Sequence, residues 1–194
     1  MIGKLWQKSA LKKAIHWFLN VKTHRQFLIN AAPGAGKTLA SIAIADDLIK
    51  RKEIDRVIII APRTEVVDQF ATDFKSYTGR FMSKVTKSDG DISALGTDVC
   101  STWNALVGLK DAMQAVCKTS RVLVICDEHH HAAIDAAWGD GADKSFVDAK
   151  FVLILTGTPV RSDNKQSIWI STNNRGLINH PNDGTYTLTY GEAI

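Results

Sequence analysis

No carboxylate occurs before Asp46, although seven bases stand in that stretch: Lys4, Lys8, Lys12, Lys13, Lys22, Arg25 and Lys37. The rest of the 194-residue chain sets seventeen bases against twenty acids. A basic end on a mildly acidic body suits an anionic partner such as nucleic acid or a nucleotide; on charge alone, a solvated lysine face is the simpler reading. Long apolar runs are missing too. Val57–Ala61, Val122–Cys126 and Phe151–Leu155 are strand-length, far short of the ~20 residues of a membrane helix. Lys4, Lys8, Lys12 and Lys13 interrupt any signal-peptide core. Cysteine is scarce, and Cys100, Cys117 and Cys126 form no C-x-x-C pair, which fits reduced thiols better than a disulfide framework. Four prolines and 13 glycines beside 45% hydrophobic residues exclude collagen-like and disordered chains. The expectation is a soluble, cytoplasmic protein of about one domain, long enough to bury a core without disulfide or metal.

What is present alternates. Leu11, Ala14, Ile15, Phe18 and Leu19 follow a helical stripe, with Lys12 and Lys13 off it. Gln26–Ala31 reads as a strand and Thr38–Lys50 as a helix. Val57–Ala61 is a second strand, and Thr64–Lys75 a second helix with Val66, Val67, Phe70 and Phe74 on one face. Asp98–Ser101 is a shorter strand, followed by a helix around Trp103–Cys117. Val122–Asp127 and Phe151–Thr156 are continuously apolar, as strands covered on both faces are. Residues 160–184 are polar and loop-like, and Thr185–Tyr190 alternates like an edge strand. The pattern predicts one α/β domain over residues 1–194, with a mainly parallel central sheet flanked by helices.

Two segments carry chemistry. Ala31-Ala32-Pro33-Gly34-Ala35-Gly36-Lys37-Thr38 lies between a predicted strand and a predicted helix, the setting of a phosphate-binding P-loop. Gly34 and Gly36 let the backbone curl so that successive N–H groups face phosphate oxygens, and the helix N-terminus adds partial positive charge. Lys37 can reach the β- and γ-phosphates, and the Thr38 hydroxyl can ligate Mg²⁺. Ala31 replaces the first glycine of the strict motif, so a glycine-rich turn before Lys-Thr remains the plain alternative. Farther on, the apolar run 122–126 ends in Asp127-Glu128-His129-His130. Asp127 there suits a metal ion, and Glu128 suits the orientation and deprotonation of a water. Taken alone, that pair could equally open a solvated loop. A zinc site built from Cys126 and His129–His131 is disfavoured, because Cys126 belongs inside a strand. The five tryptophans, Trp6, Trp17, Trp103, Trp138 and Trp169, fit core or cover positions better than base stacking, and Lys8, Lys12 and Lys13 fit a solvated helix face.

Together these segments resemble the N-terminal RecA-like, ATP-binding domain of superfamily 2 helicases and translocases, of the DEAD/DEAH or type III restriction subunit-like kind. Ala31–Thr38 has the A-x-x-G-x-G-K-T form of their motif I, and Asp127–His130 matches their DExH box. Leu155-Thr156-Gly157-Thr158-Pro159-Val160-Arg161 resembles the motif III form. Ile60–Arg63 resembles motif Ia, Cys100–Trp103 sits where motif Ib falls, and Leu5-Trp6-Gln7 with Ala10 resembles the segment before the first helix, Lys4 replacing its Arg. The motifs run in family order from residue 4 to residue 161.

The resemblance implies ATP and Mg²⁺ as cofactors and roles for single residues. Gln7 would recognise adenine; Pro33, Gly34, Ala35, Gly36, Lys37 and Thr38 would hold the nucleotide; Thr38 and Asp127 would hold the metal; Lys37, Asp127 and Glu128 would run hydrolysis. His130, Thr156 and Thr158 would couple nucleotide state to a DNA or RNA track, and Pro62, Arg63 and Thr102 would touch its backbone without reading sequence. Superfamily 2 motors close on ATP with a second RecA-like domain, for which the residues after motif III leave no room and show no motifs. The expectation is therefore the ATP-binding half of a helicase or translocase, joined in the intact protein or by a partner chain to that second domain. A P-loop ATPase of another type, and a nucleic-acid or protein adaptor without turnover, are the alternatives.

Overall fold

The computed structural model describes residues 3–85, 98–128, 142–157 and 180–188. Seven strands form one sheet: β1 (Gln26–Asn30), β2 (Arg56–Ala61), β3 (Met82–Val85), β4 (Asp98–Thr102), β5 (Val122–Asp127), β6 (Phe151–Thr156) and β7 (Thr185–Thr187). Their order is β3-β4-β2-β5-β6-β1-β7, and every pairing is parallel. Parallel pairing puts all carboxyl ends along one rim, where α/β proteins place their ligands.

Period-two alternation along the strands sorts the core onto two faces. Phe27 and Ile29, Val57 and Ile59, Leu123 and Ile125, and Leu153 and Leu155 meet α1 (Leu5–His16), α2 (Lys37–Lys50) and α3 (Thr64–Thr78). Leu28, Ile58 and Ile60, Val122 and Val124, and Val152 and Ile154 meet α4 (Trp103–Thr119) and a short helix over residues 142–146. All six residues of both β5 and β6 are buried, as their unbroken apolar runs predict.

The predicted elements appear with small shifts, and β7 takes the edge position beside β1. Two features differ. The first helix begins at Leu5, well before the Leu11 stripe, and passes into a π-helical turn over Trp17–Val21. There the Lys22 N–H donates to the Trp17 carbonyl five residues back, at 3.1 Å. Trp17 and Phe18, the first two residues of this wider turn, are both buried. The second is β3, which sequence periodicity does not announce.

Trp6, Trp17 and Trp103 are buried as expected; Trp138 and Trp169 lie outside the described residues. All three cysteines are free and buried, and burial pushes the Cys117 thiol up to about 12. No described helix is long and apolar enough to cross a membrane. Lys8 and Lys12 are exposed, but Lys13 is partly buried and donates to two main-chain carbonyls, so it does not belong to a solvated face.

Candidate functional site

Residues 31–38 leave β1 at the carboxyl rim and enter α2. Gly34 and Gly36 have φ of +75° and +104°, values that side chains resist and glycine accepts. A Cβ on Gly36 would also come within 2.7 Å of Gln7 Nε2. The loop curls around the Lys37 side chain, whose Nζ donates to the Ala31 carbonyl at 2.8 Å and the Ala32 carbonyl at 3.4 Å. Gly36 is the N-cap of α2 and, having no side chain, leaves the first-turn amides of that helix without a side-chain cap. Contrast α4, whose N-cap Thr102 accepts from the Ala105 N–H at 3.2 Å. An uncapped helix start is a ready anion site.

β6 lies between β1 and β5, so anything joining the β1 loop to the end of β5 must cross it. The Lys37 ammonium does so, standing 3.4 Å from a Glu128 carboxylate oxygen. The loop rests on β6 itself: the Ala31 N–H donates to the Thr156 carbonyl at 3.0 Å. A Cβ on Gly157 would come 2.9 Å from the Pro33 ring and 3.2 Å from the Ala31 carbonyl oxygen. A side chain at 157 would push loop and strand end apart.

Asp127 ends β5 with little exposure, 8%. Burial first, and the neighbouring Glu128 charge second, push its carboxyl up to about 6, against the opposing pull of Lys37. Its carbonyl accepts from the buried Trp103 indole N–H at 3.0 Å, which fixes the strand end. Glu128 has φ +47°, a strained setting for a side chain that has to leave the strand sharply.

Gln7, buried on the first turn of α1, donates from Nε2 to the Gly36 carbonyl at 3.1 Å and accepts from the Lys4 N–H at 3.2 Å. The structure thus gathers Gln7, Pro33, Gly34, Ala35, Gly36, Lys37, Thr38, Asp127, Glu128 and Thr156 at one rim. Pro62 and exposed Arg63 follow β2, and Thr102 ends β4 in register with Ala61, so these three lie together farther along the same rim. His130 and Thr158, together with His129 and His131, fall outside the described residues. Gly157 is a support that the sequence reading named only as part of a motif, and Trp103, expected as a core or cover residue, also holds the end of β5 through its indole N–H.

Comparison with known proteins gives a family from sequence and a fold from structure, with curated relatives that are themselves uncharacterized. Residues 2–161 match the family described as type III restriction enzyme, res subunit. An uncharacterized protein of Mycobacterium leprae is 28% identical over 97% of this chain, and one of Mycobacterium tuberculosis is 29% identical over 97%. The chain spans 31% of each, about a third of their length. Among solved structures, the type ISP restriction-modification enzyme LlaGI in complex with a DNA substrate mimic superposes with TM-score 0.70 at 19% identity, over 100% of this chain and 20% of that one. The UvsW helicase of bacteriophage T4 gives 0.66 at 18%, over 97% and 61%. A Sulfolobus solfataricus SWI2/SNF2 ATPase core in complex with dsDNA gives 0.64 at 17%, over 82% and 32%. At these identities the structures speak for the RecA-like fold, and the sequence match speaks for the family. The chain belongs to the type III restriction enzyme res-subunit family, within the superfamily 2 helicases, and forms its RecA-like domain.

Proposed function

We propose that this domain binds Mg-ATP at residues 31–38 and supplies the hydrolytic groups of a nucleic-acid translocase or helicase. The observation that carries the reading is the Lys37 ammonium set 3.4 Å from Glu128 beside a helix start with no side-chain cap. One cation, two neighbouring carboxylates and open helix amides form a constellation suited to an anion that brings its own divalent metal.

In this reading Pro33, Gly34, Ala35 and Gly36 wrap the phosphates, and Lys37 trades its bonds to the Ala31 and Ala32 carbonyls for phosphate oxygens. The Thr38 hydroxyl and the Asp127 carboxylate hold Mg²⁺, whose charge would also draw Asp127 back to its ionised form. ATP supplies the phosphoanhydride to be cleaved. Glu128 orients a water and accepts its proton. Gln7 reads the adenine edge. Thr156, on the strand between the loop and Asp127, carries the change of state outward with His130 and Thr158.

Pro62, Arg63 and the Thr102 hydroxyl face a DNA or RNA backbone, with binding that is weak, insensitive to sequence and dependent on salt. Productive closure needs a second RecA-like domain, in the same protein or a partner, to exclude water and present an arginine. That the chain spans about a third of its mycobacterial relatives supports this division of labour.

Isothermal titration tests the site directly. Mg-ATP affinity should fall about tenfold to a hundredfold in Lys37→Ala with the fold retained, as loss of a charged hydrogen-bond donor predicts. Equal affinity in both proteins refutes the assignment.

A further inference from the structure

α1 touches two separate parts of the chain. Its first turn lies against the loop, through Gln7 Nε2 on the Gly36 carbonyl and Lys4 Nζ on the Ala35 carbonyl at 3.4 Å. Elsewhere along its length it grips residues 180–188. Lys13 Nζ donates to the carbonyls of Asn182 and Thr185, both at 2.7 Å. Just beyond the helix, the Trp17 indole packs so closely on Gly184 that a Cβ there would lie 2.7 Å from it. A lysine that donates twice to main chain fixes the separation between helix and segment. Six residues of helix part Lys13 from Gln7, about 9 Å along one stiff rod.

Trp6 completes the connection. Its ring stacks on Tyr186, with centroids 6.1 Å apart and planes 27° from parallel. Its Cζ2 atom lies 3.9 Å from where a Gly36 Cβ would stand. Nε1 is two bonds from Cζ2, through Cε2, and it is the one buried side-chain polar atom without a hydrogen bond among the described residues. Leaving such a donor bare costs about 1–3 kcal/mol. The ring therefore keeps its place between Tyr186 and the loop through packing.

We propose that residues 180–188 are a positioning element for the base side of the nucleotide site. Lys13 and Tyr186 set α1, and Trp6 passes that setting to Gln7 and Gly36. The proposal rests on the reading of residues 31–38 as the ATP site. The phosphate side is built by Lys37 and α2, so loosening α1 weakens recognition of the base and spares recognition of the phosphates.

Calorimetry with Mg-ATP and with Mg-tripolyphosphate, which has no base, separates the two sides. Lys13→Met and Tyr186→Leu should each lose roughly threefold to thirtyfold in ATP affinity, the span of couplings carried through packed networks, while tripolyphosphate affinity stays within about twofold. Lys13→Arg keeps a long cationic donor and should recover most of the loss. Lys8→Met, on an exposed neighbour, should change neither. Equal losses for both ligands, or unchanged ATP affinity, overturn the proposal. So does a wild-type chain that binds tripolyphosphate as tightly as ATP. Should Lys13→Met fail to fold, Tyr186→Leu, which keeps an apolar side chain at the stack, decides. Lys37→Ala in the same series tests the parent reading by itself: retention of both ligands refutes the ATP site, whereas loss of both with Lys13→Met and Tyr186→Leu unaffected refutes the positioning element alone.

Discussion

The two ends of the sheet spend charge in opposite ways. At the amino ends of the strands several ions have a fixed counterpart. Arg80 Nε meets the Asp98 carboxylate at 2.8 Å, Arg121 meets Asp55 at 2.6 Å, and Lys150 meets Glu53 at 2.9 Å. Asp98 also accepts from the Val57 N–H at 2.8 Å, and Arg25 donates to the Phe146 and Ala149 carbonyls. Most of these contacts tie neighbouring strands together before the sheet begins, and Lys150–Glu53 reaches across β5 from the start of β6 to the start of β2. At the carboxyl ends one lysine faces two adjacent carboxylates, glycines hold left-handed turns, and Glu128 is strained. One rim is closed by its own partners, and the other carries the residues proposed to bind nucleotide. On that proposal, stability and chemistry are separated along the strand axis.

The largest effect that would sharpen this contrast is on turnover. Glu128→Gln should keep Mg-ATP affinity and lower hydrolysis by about 10²–10⁴ in the assembled enzyme, the usual value of a positioned base. Wild-type turnover in that variant would remove Glu128 from the chemistry. Asp98→Ala, at the opposite rim, should cost about 2–3 kcal/mol in urea unfolding, because it strands Arg80 and the Val57 N–H, and should leave nucleotide affinity unchanged. A matching loss of ATP affinity would show that the two rims are not independent.

Acid titration separates them by sign. Asp127 titrates at about 6 in the folded chain against its ordinary 3.8, so the folded state holds the extra proton in that interval. Nucleotide-free stability should fall as pH rises from about 4 to 6, and Asp127→Asn should remove that contribution, gaining up to about 3 kcal/mol at pH 7. Asp55 does the reverse. The hydrogen bonds from Arg121 hold it down at about 2, so its contribution is present above pH 4 and lost as pH falls through 2. Asp55 is half exposed, and Asp55→Asn should cost only a few tenths of a kcal/mol at neutral pH. Melting curves from pH 2 to 8 check both slopes.

Much of this was legible in the sequence because it rests on local rules. β5 and β6 are six-residue apolar runs, and nothing else suits a strand buried on both faces. Gly34, Gly36 and Lys37 announce themselves by spacing between a strand and a helix. β3 escaped because Met82-Ser83-Lys84-Val85 buries only Met82 fully; it is a strand because β4 offers a parallel partner, and pairing is not a property of the segment itself. The early start of α1 escaped for a similar reason. Lys4 is a poor cap by type, and the turn closes through Gln7 and packs through Trp6. The contact of Trp6 with Tyr186 joins residues 180 positions apart, a distance over which no periodicity speaks. Family likeness reached Gln7 where periodicity did not.

The π-helical turn after α1 holds one residue more than an α-helix would use. A single deletion at 19–21 would let the helix close with ordinary four-residue bonds. With Phe18 still seated against Phe27 and Phe151, Trp6 and Gln7 upstream would stay in place, and the approach to β1 would be drawn one residue tighter. The extra residue therefore serves as slack between the aromatic core and the first strand. A chain shortened there would have a more regular helix and a strained entry into β1.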